Sequence, residues 1–441
     1  MRIVIIATGS RGDIEPYIAL GKGLAGAGNY VRFVSHENYE TLLNAQGMEF
    51  WPVEGNIQDI VQSSEMRERI EAGNFLMLMS QMSKEAERGA LALAEGGLAA
   101  CRGMDLVLAG MGGLYVGLAL AEKLDLPMVQ AYVLPFTPTH DFPGVLLPQS
   151  LSRLGGSFNR LSHHLTRQVL WQGFRSADGM ARQKVLRLPK APFWGPYNSD
   201  RLRNSQILYG FSPAVISRPS DWEERIHVTG YWLQNSVPDW TPPQALVEFL
   251  EKRPPPLYIG FGSMSNRNPK ETASLVLEAL GRVGQRAILL SGWGGMQTED
   301  LPETVFIIDS IPHAWLFPRV AAVVHHGGAG TTAAGLRAGI PSILIPFFGD
   351  QPFWGERITE LGVGPAAIPR KKLTVERLST AIDQAIHDSV MRQQAAELGS
   401  KIRAEDGVAQ AVAVIQQMCN QAIGYPSPGA KPEFASDPPA K

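Results

Sequence analysis

The chain has 441 residues, of which 44% are hydrophobic, and its 40 basic and 42 acidic side chains give a formal net charge of −2. This length exceeds one ordinary hydrophobic core, so we expect two domains, and the balanced charge gives no general attraction to nucleic acid. Cys101 and Cys419 form neither a CxxC pair nor a disulfide framework, and residues 1–13 lack the features of a signal peptide, so we expect a cytoplasmic protein without a membrane-spanning helix.

Apolar runs that alternate with helical patterns predict a parallel sheet in the first half of the chain. In chain order, the predicted elements are a strand at 2–8, a turn at 9–13, a helix at 17–27, a strand at 31–35, a strand at 106–109, a helix at 113–124 and a strand at 128–132. Pro16 can open the first helix, because its fixed φ suits a first helical turn. This half therefore resembles a doubly wound sheet with helices on both faces.

The alternation returns in the second half. In chain order, it predicts a strand at 257–261, a helix at 270–282, strands at 287–291, 305–308 and 321–325, a helix at 331–338, a strand at 342–346, a helix at 354–361 and a last helix at 405–419. The expected domains are an N-terminal Rossmann-like domain (1–234), a proline-rich linker (235–243), a C-terminal Rossmann-like domain (244–404), a helix returning to the first domain (405–423) and a disordered tail (424–441). Ligands of such sheets bind beyond the carboxyl ends of the strands, which places the expected site in the interdomain cleft.

Residues 325–332 read HHGGAGTT and stand between a predicted strand and a predicted helix. Gly327, Gly328 and Gly330 let the backbone turn tightly and approach a ligand. Free N–H groups at the start of the helix favour a diphosphate, and His326 can donate a hydrogen bond to it. The spacing differs from GxGxxG and no Walker lysine follows, which disfavours a nicotinamide or P-loop site. A glycine turn with a structural histidine is the alternative interpretation.

The longer stretch HHGGAGTTAAGLRAGIPSILIPFFGDQPFWG, which begins at His325, resembles the donor-binding motif of UDP-dependent glycosyltransferases with the GT-B fold. Residues 9–24 (GSRGDIEPYIALGKGL) and 261–265 (FGSMS) are similar to the same group, in particular to its sterol 3-β-glucosyltransferase and antibiotic glycosyltransferase branch. The resemblance extends from residue 1 to about residue 420 and is loose across 136–230. It implies an α/β fold of two Rossmann-like domains whose parallel sheets face a cleft.

The resemblance also implies which residues bind the UDP-sugar donor. The expected donor-binding residues are Ser10, Arg11, Gly12, Ser263, Ile311, His313, His326, Gly328, Ala329, Gly330, Thr331, Asp350 and Gln351. Within this set, the Asp350–Gln351 pair resembles the acidic–glutamine pair that hydrogen-bonds hexose hydroxyls, although a polar helix start would explain the same two residues. The segment 311–317 (IPHAWLF) resembles the uracil-binding segment, and Trp315 is equally well explained as a core aromatic.

One position departs from the plant small-molecule enzymes of this group. Those enzymes place a ribose-binding glutamate eight residues after the motif histidine, where this chain has Ala334. The preference for UDP-glucose over other UDP- or TDP-sugars therefore stays open.

Asp13 is the candidate catalytic base. The resemblance to the antibiotic and sterol branch places it where the plant enzymes have their basic histidine. Capping of the following helix is the alternative role. An ordinary aspartate pKa of about 3.9 is poorly matched to an alcohol, and burial would raise it toward a more effective base.

The predicted reaction is a direct, inverting transfer that gives a β-glycoside and needs no cofactor or metal. Negative charge grows on the leaving diphosphate in such a transfer, and many glycosyltransferases balance it with a metal held by an Asp-x-Asp motif. The chain contains no Asp-x-Asp. The helix N-terminus after Gly330, together with His326, can stabilise this charge instead.

The acceptor is expected to bind the N-terminal half, where two apolar segments suggest a pocket for a sterol, a triterpenoid or another lipophilic alcohol. They are the methionine-rich stretch 75–82, whose side chains adapt to irregular shapes, and the proline-rich stretch 131–148. Ordinary core packing would explain both segments as well. The expected acceptor-binding residues are Phe75, Met79, Met82, Tyr132, Phe136, His140 and Asp141.

Residues 153–190 carry eight Lys or Arg and a single acid, Asp178. Leu154, Phe158, Leu161, Leu165 and Val169 follow helical spacing, with the arginines on another face. Two interpretations remain: peripheral contact with an anionic membrane, or a solvated helix packed on the domain.

Other functions share parts of this pattern. A glycosyltransferase for flavonoid or polyketide aglycones would keep the mechanism and change the acceptor. A UDP-sugar epimerase shares the architecture but needs further acid–base carboxylates, and a non-catalytic nucleotide or lipid binder would not need Asp13, His326, Asp350 and Gln351 together. The acceptor, the oligomeric state and the extent of domain closure are not fixed by these patterns.

Overall fold

Two parallel β-sheets, each with helices packed against it, organise the chain. The computed structural model describes residues 1–44, 46–53, 75–234, 240–261, 269–291 and 301–423. The linker residues 235–239 and the tail 424–441 therefore lie outside the described residues. Within the described part of the chain, no helix has the length and apolar content needed to cross a membrane.

The N-terminal sheet has seven parallel strands in the order β3-β2-β1-β4-β5-β6-β7. They are β1 (Arg2–Ile6), β2 (Tyr30–His36), β3 (Glu49–Val53), β4 (Leu106–Ala109), β5 (Met128–Tyr132), β6 (Gln206–Tyr209) and β7 (Ile226–Val228). Strands β1 and β4 are almost entirely buried, which explains their continuous apolar runs. Because the strand order reverses beside β1, the loops after β1 and β4 open a crevice at the carboxyl edge of the sheet.

The helices of this half connect the strands or cover the sheet. They are α1 (Arg11–Gly26), α2 (Glu40–Asn44), α3 (Phe75–Cys101), α4 (Leu114–Leu124), α5 (Gly156–Met180) and α6 (Asp200–Asn204). Helix α5 continues into a π-helical turn, Ala181–Leu186, and packs along α3.

The C-terminal sheet has five parallel strands in the order β10-β9-β8-β11-β12. They are β8 (Leu257–Gly260), β9 (Ala287–Leu290), β10 (Val305–Ile308), β11 (Val323–His325) and β12 (Ser342–Leu344). The helices are α7 (Gln244–Glu251), α8 (Pro269–Val283), α9 (His313–Leu316), α10 (Ala329–Ala338), α11 (Gln351–Glu360), α12 (Val375–His387), α13 (Ser389–Arg403) and α14 (Gly407–Ile423). Here the order reverses between β8 and β11, so the loop that follows β11 lies at the switch point.

The last helix, α14, packs on the N-terminal half, against α1. Ala411, Val412 and Ile415 are buried in the same apolar cluster as β1 and α1. An ideal Cβ on Gly23 of α1 would lie 2.2 Å from Val408 Cγ1, so the two helices approach closely at this glycine.

Several boundaries differ from the sequence-based expectations. Helix α1 begins at Arg11, six residues before the predicted start, so Pro16 lies inside the helix and does not open it. The segment that begins at Phe75 is the start of a 27-residue helix, and β6 and β7 extend the sheet where no strand was predicted. The strand runs were thus predicted better than the helix starts, which depend on local capping.

Candidate functional site

The turn after β1 fixes the carboxylate of Asp13. Both the backbone N–H and the hydroxyl of Ser10 donate to Asp13 Oδ2, each over 2.8 Å. Gly9 has a φ of 143°, and an ideal Cβ there would lie 2.7 Å from Asp13 Cβ, so a glycine is required for this arrangement. Asp13 therefore completes a capping box with the N-cap residue Ser10, in agreement with the capping interpretation, and its held carboxylate lies at the carboxyl edge of the sheet.

The electrostatics of Asp13 follow from its position in the crevice. Its side chain keeps surface accessible to solvent, but the surrounding protein atoms partly desolvate the carboxyl and raise its pKa. The two hydrogen bonds from Ser10 act in the opposite direction. Both bonds use Oδ2, so, among the residues that the structure describes, Oδ1 is available to accept a proton from another molecule.

The turn after β11 leads directly into a helix start, a feature whose free N–H groups can bind an anion. Gly327 has a φ of 92°, and its N–H donates to Nδ1 of the buried His325 over 3.1 Å. Helix α10 then begins at Ala329, two residues earlier than predicted, with Gly328 as the N-cap. Thr332 N–H makes an intrahelical bond to Gly328 O, so the N–H groups of the three preceding residues point out of the helix end.

His326 lies directly against this helix start. An ideal Cβ on Gly328 would lie 2.6 Å from His326 Nε2, so the glycine makes room for the imidazole. Burial lowers the pKa of His326 to about 4, which leaves the ring neutral at pH 7. Its Nδ1 is buried without a hydrogen-bond partner in the described part of the chain. A neutral imidazole can donate one N–H to a ligand.

The two turns face one another across the cleft. Helices α1 and α10 are in contact, and an ideal Cβ on Gly330 would lie 3.9 Å from Gly12 O. Pro16 lacks the N–H that would bond Gly12 O in a regular helix, so this carbonyl is left to the cleft. Asp13 is thus brought opposite the start of α10.

Arg11 and His313 flank the same opening. The Arg11 guanidinium pairs with Glu15 over 2.7 Å on the exposed surface of α1. Burial, with a smaller contribution from the nearby charge of Arg11, lowers the pKa of His313 to about 4. The His313 ring stacks on Phe317 with centroids 4.4 Å apart. The structure therefore brings Arg11, His313 and His326 into one neighbourhood, as expected for three of the predicted donor-binding residues.

The remaining residues of the uracil-like segment divide between cleft and core. Ile311 is buried, with 7% of its surface exposed. Trp315 packs edge-on against Trp240 at 4.9 Å, and Arg319 lies over its ring at 4.4 Å, which favours the core-aromatic interpretation of Trp315. Ser263, the other predicted phosphate contact, lies outside the described residues.

Asp350 is held at the start of α11. Its Oδ2 accepts a 2.9 Å hydrogen bond from Nε1 of the buried Trp354. Desolvation raises the pKa of Asp350 to about 6, and the nearby charge of Asp13 contributes to the increase. The two carboxylates of the predicted site are therefore electrostatic neighbours.

Gln351 has a different environment from the one expected. Its side chain is buried, and its Oε1 accepts hydrogen bonds from the backbone N–H groups of Phe347 and Phe348, over 2.8 and 3.3 Å. This carbonyl oxygen fixes the loop before α11, and the expected contact of Gln351 with a hexose stays a prediction.

Two predicted acceptor-binding residues lie in the core. Tyr132 is fully buried and donates its hydroxyl to Gln130 Oε1 over 2.7 Å. Phe136 is 2% exposed and packs under the guanidinium of Arg167 at 5.1 Å. Both rings are covered by the sheet and α5 in this structure, and their expected contact with an acceptor stays a prediction.

The other acceptor-binding candidates are more accessible. Met82 is 38% exposed on α3, and Met79 lies on the same helix, against Gly173 of α5. His140 and Asp141 are exposed; the backbone N–H of His140 donates to Asp221 over 2.9 Å. Phe75 begins α3, and its side chain lies outside the described part of the structure.

Some positioning contacts were not predicted from the sequence. Phe142 of the proline-rich stretch 131–148 packs against Phe353 of α11 with ring centroids 6.3 Å apart, and Gln149 N–H donates to Glu356 of the same helix over 2.5 Å. These contacts seat the proline-rich segment against the C-terminal half. They join residues about 200 positions apart in the sequence, so no local sequence pattern predicts them.

Across the described ranges, no three His, Cys, Asp or Glu side chains are grouped so that they could hold a metal ion. The arrangement that is present consists of a held carboxylate, a neutral histidine and a helix N-terminus. These groups can accept a proton from a hydroxyl and stabilise an anion on the opposite side of the cleft.

Comparisons with known proteins agree with this geometry. Residues 3–143 match the family model described as glycosyltransferase family 28 N-terminal domain, and residues 274–418 match the model described as erythromycin biosynthesis protein CIII-like, C-terminal domain. Sterol 3-beta-glucosyltransferase UGT80B1 of Arabidopsis thaliana is 35% identical over 453 residues, which cover 100% of this chain and 71% of that protein. Sterol 3-beta-glucosyltransferase of Cryptococcus neoformans is 36% identical over 94% of this chain, which spans only 27% of the fungal protein.

Solved structures give the same architecture. The calicheamicin glycosyltransferase CalG4 superposes with a TM-score of 0.65, covering 96% of this chain and 98% of its own, at 18% identity. SsfS6 of Streptomyces sp. SF2575, solved in complex with thymidine diphosphate, gives a TM-score of 0.62 over 95% and 99% of the two chains, at 19% identity. At this identity the likeness shows the fold, which is the expected GT-B arrangement.

Proposed function

The chain belongs to the family of sterol 3-beta-glucosyltransferases, and from this premise we propose that it transfers glucose from UDP-glucose to the hydroxyl of a sterol or triterpenoid, giving a β-glucoside and UDP. The chain is a glycosyltransferase; the donor and the acceptor are our proposals. The observation that carries the proposal is the carboxylate of Asp13, held by Ser10 and placed opposite the start of α10.

The proposed transfer is a single displacement. The acceptor oxygen attacks the anomeric carbon of glucose while Asp13 takes the hydroxyl proton, and the bond from that carbon to the diphosphate breaks. The anomeric configuration inverts from α to β because attack and departure occur on opposite faces. The raised pKa of Asp13 supports this role, since a less acidic carboxyl is a better proton acceptor as the new bond forms.

The leaving diphosphate gains negative charge, which we assign to the N–H groups at the start of α10 and to His326. His326 has a pKa of about 4, so at pH 7 it is a neutral hydrogen-bond donor and not a cation. Donors that are fixed before the reaction need little reorganisation in the transition state. We therefore propose that the transfer needs no metal ion.

Asp350 is proposed to bind the hexose. With a pKa of about 6 it is mostly ionised at pH 7, and an ionised carboxylate accepts hydrogen bonds from two sugar hydroxyls. Trp354 orients it. Gln351 supports the same loop through the amides of Phe347 and Phe348.

A sterol acceptor resides in a membrane. We accordingly propose that the chain acts at the cytoplasmic surface of a membrane as a peripheral protein, with contact through the region 153–190. The basic composition of that region supports the proposal.

The test is mass spectrometry of reactions that contain the chain, UDP-glucose, EDTA and a panel of sterols, triterpenoids and flavonoids. We expect addition of one hexose to sterols or triterpenoids, with EDTA having no effect. Addition to flavonoids alone would refute the proposed acceptor class and keep the mechanism. Loss of activity in EDTA, restored by a divalent cation, would refute the metal-free transfer. Tight UDP binding without any glycoside would favour an epimerase or a silent binder.

A further inference from the structure

The outer face of α5 carries an unusual row of exposed leucines. Leu154, just before the helix, and Leu161 and Leu165 within it are 57%, 65% and 54% exposed. Leu161 and Leu165 are four residues apart and therefore share one face of the helix, and Leu154 lies just before its first turn. The structure packs the opposite face of the helix, which carries Ser162 and His163, against the domain.

This row continues into a neighbouring aromatic loop. Phe193 and Trp194 are 52% and 73% exposed, the latter being the most exposed large apolar side chain in the described part of the chain. Gln168 and Gln172, three and seven residues after Leu165, both donate side-chain hydrogen bonds to Phe193 O. From Leu161 to Gln172 the helix rises roughly 16 Å. We call Leu154, Leu161, Leu165, Phe193 and Trp194 together the apolar ridge.

The aromatic end of the apolar ridge is firmly held. Trp171, buried inside the domain, donates its Nε1–H to Phe193 O over 2.9 Å. The guanidinium of Arg175 lies 4.6 Å from the centre of the Phe193 ring, and the Trp194 ring packs edge-on against it at 5.1 Å. These contacts keep two large apolar side chains projecting into solvent.

Basic side chains are frequent in the segment that carries the apolar ridge. Six of them are exposed between positions 153 and 190: Arg153, Arg160, Arg175, Lys184, Arg187 and Lys190. The only acidic residue between positions 149 and 195 is Asp178, which is buried beside Arg182. An apolar surface on a basic segment matches the headgroup region of an anionic bilayer, where apolar side chains enter the acyl boundary and cations meet phosphate.

The inner face of α5 lies on the proline-rich stretch 131–148, which we call the acceptor segment because the acceptor is proposed to bind there. Ser162 Oγ accepts a 2.8 Å hydrogen bond from Gly144 N–H, and His163 Nε2 lies 3.0 Å from Phe142 O. The helix therefore has the apolar ridge on one face and the acceptor segment on the other. A surface that docks on lipid at this position would bring the acceptor segment close to the bilayer.

We propose that the apolar ridge docks the chain on an anionic phospholipid bilayer, from which the lipophilic acceptor reaches the cleft. This proposal rests on the proposed function, because it specifies which side chains make the membrane contact proposed there and which lipid charge they need. The occupant is a lipid surface because the ridge lies in a basic segment and has no exposed carboxylate in that segment; a second copy of the chain would present the same positive charge and be repelled.

The experiment compares the full chain with the variant Leu161→Ser, Leu165→Ser, Trp194→Ser. Sedimentation with vesicles of phosphatidylcholine, with and without phosphatidylserine, measures binding. We expect the wild type to bind the anionic vesicles preferentially, and the triple variant to bind them at least about tenfold more weakly because three apolar side chains are lost. Val390→Ser is the matched control, because Val390 is 62% exposed on α13, in the other half of the chain.

Two further measurements separate this proposal from the proposed function. Transfer to a sterol solubilised in cyclodextrin should be equal in wild type and triple variant, whereas transfer to the same sterol in anionic vesicles should fall in the variant. If the wild type transfers no glucose to the solubilised sterol, the proposed acceptor is refuted, and the vesicle-binding result still tests the docking proposal. Equal vesicle binding by wild type and triple variant would overturn the docking proposal. So would a wild type that is a dimer and binds no vesicles, if the triple variant is a monomer.

Discussion

Replacement of Ser10 by alanine should shift the pH dependence of transfer. The substitution removes the hydroxyl that donates to Asp13 Oδ2 over 2.8 Å and leaves the second bond, from the Ser10 backbone N–H, in place. The hydroxyl stabilises the charged carboxylate, so its loss raises the pKa of Asp13 further. A base with a higher pKa is ionised only at higher pH, and the acidic limb of the kcat/KM profile should therefore move upward.

The size of the shift follows from the exposure of the pair. A hydrogen bond to a charged group contributes about 1.5–3 kcal/mol, and the solvent-accessible surface of Asp13 reduces this to about 1 kcal/mol. This corresponds to about 0.7 pKa unit. Below the limb, the variant should be slower by about fivefold, and well above the limb the two rates should converge.

The assay is the pH profile of kcat/KM for wild type, Ser10→Ala and Ser10→Thr. The threonine variant keeps a hydroxyl and should retain the wild-type limb. Ser10 was also a predicted donor-binding residue, and that role gives a different outcome. An unmoved limb in Ser10→Ala, combined with a raised KM for UDP-glucose at all pH values, would refute the assignment of Ser10 as the residue that positions Asp13.

Two further substitutions test the donor side. Gly328→Ala introduces a Cβ 2.6 Å from His326 Nε2, and the φ of −62° at this position suits any residue. The substitution should therefore displace the imidazole without backbone strain and weaken UDP binding, measured by calorimetry, by about tenfold. Gly281→Ala, where a Cβ meets nothing within 4 Å, is the control, and equal UDP affinities of the two variants would contradict the role of His326. Trp354→Phe removes the hydrogen bond that lowers the pKa of Asp350, so this pKa should rise above about 6, and KM for UDP-glucose should increase more at pH 6 than at pH 8. An equal increase at both pH values would count against hexose binding by an ionised Asp350.

The strands were the most predictable part of the fold. Buried parallel strands read as continuous apolar runs, so the sequence stretch at 2–8 located β1 to within two residues. The three- and four-residue strands β6 and β7 were missed because QILY and IHV are too short to show a period. The start of α1 was misplaced because its cap, Ser10 with Asp13, lies before a proline that suggested a later start.

The turn after β11 and the helix start that follows it were predictable for a local reason. The turn, the helix start and His326 are contiguous in the chain, so a short motif specifies their arrangement. The acceptor side depends on long-range packing. Tyr132 and Phe136 lie in a proline-rich stretch that suggested a loop surface, yet the strand pairing and Arg167 bury both rings.

The exposed face of α5 shows a second limit of sequence patterns. The periodicity of Leu161 and Leu165 shows that they share a face, but it does not reveal which face the domain covers. That choice is made by the packing of Ser162 and His163 on the acceptor segment. A pattern of this kind therefore predicts a helix and leaves its orientation to tertiary contacts.

The most direct test of the central claim, that Asp13 is the base of an inverting transfer, is the variant Asp13→Asn assayed with UDP-glucose and a sterol. The amide keeps the size of the side chain but is a poor proton acceptor, so we expect wild type to give a β-glucoside by NMR of the anomeric proton, and the variant to lose transfer while it binds UDP with unchanged affinity. Wild-type turnover by the variant, or an α-glucoside from the wild type, would contradict the claim.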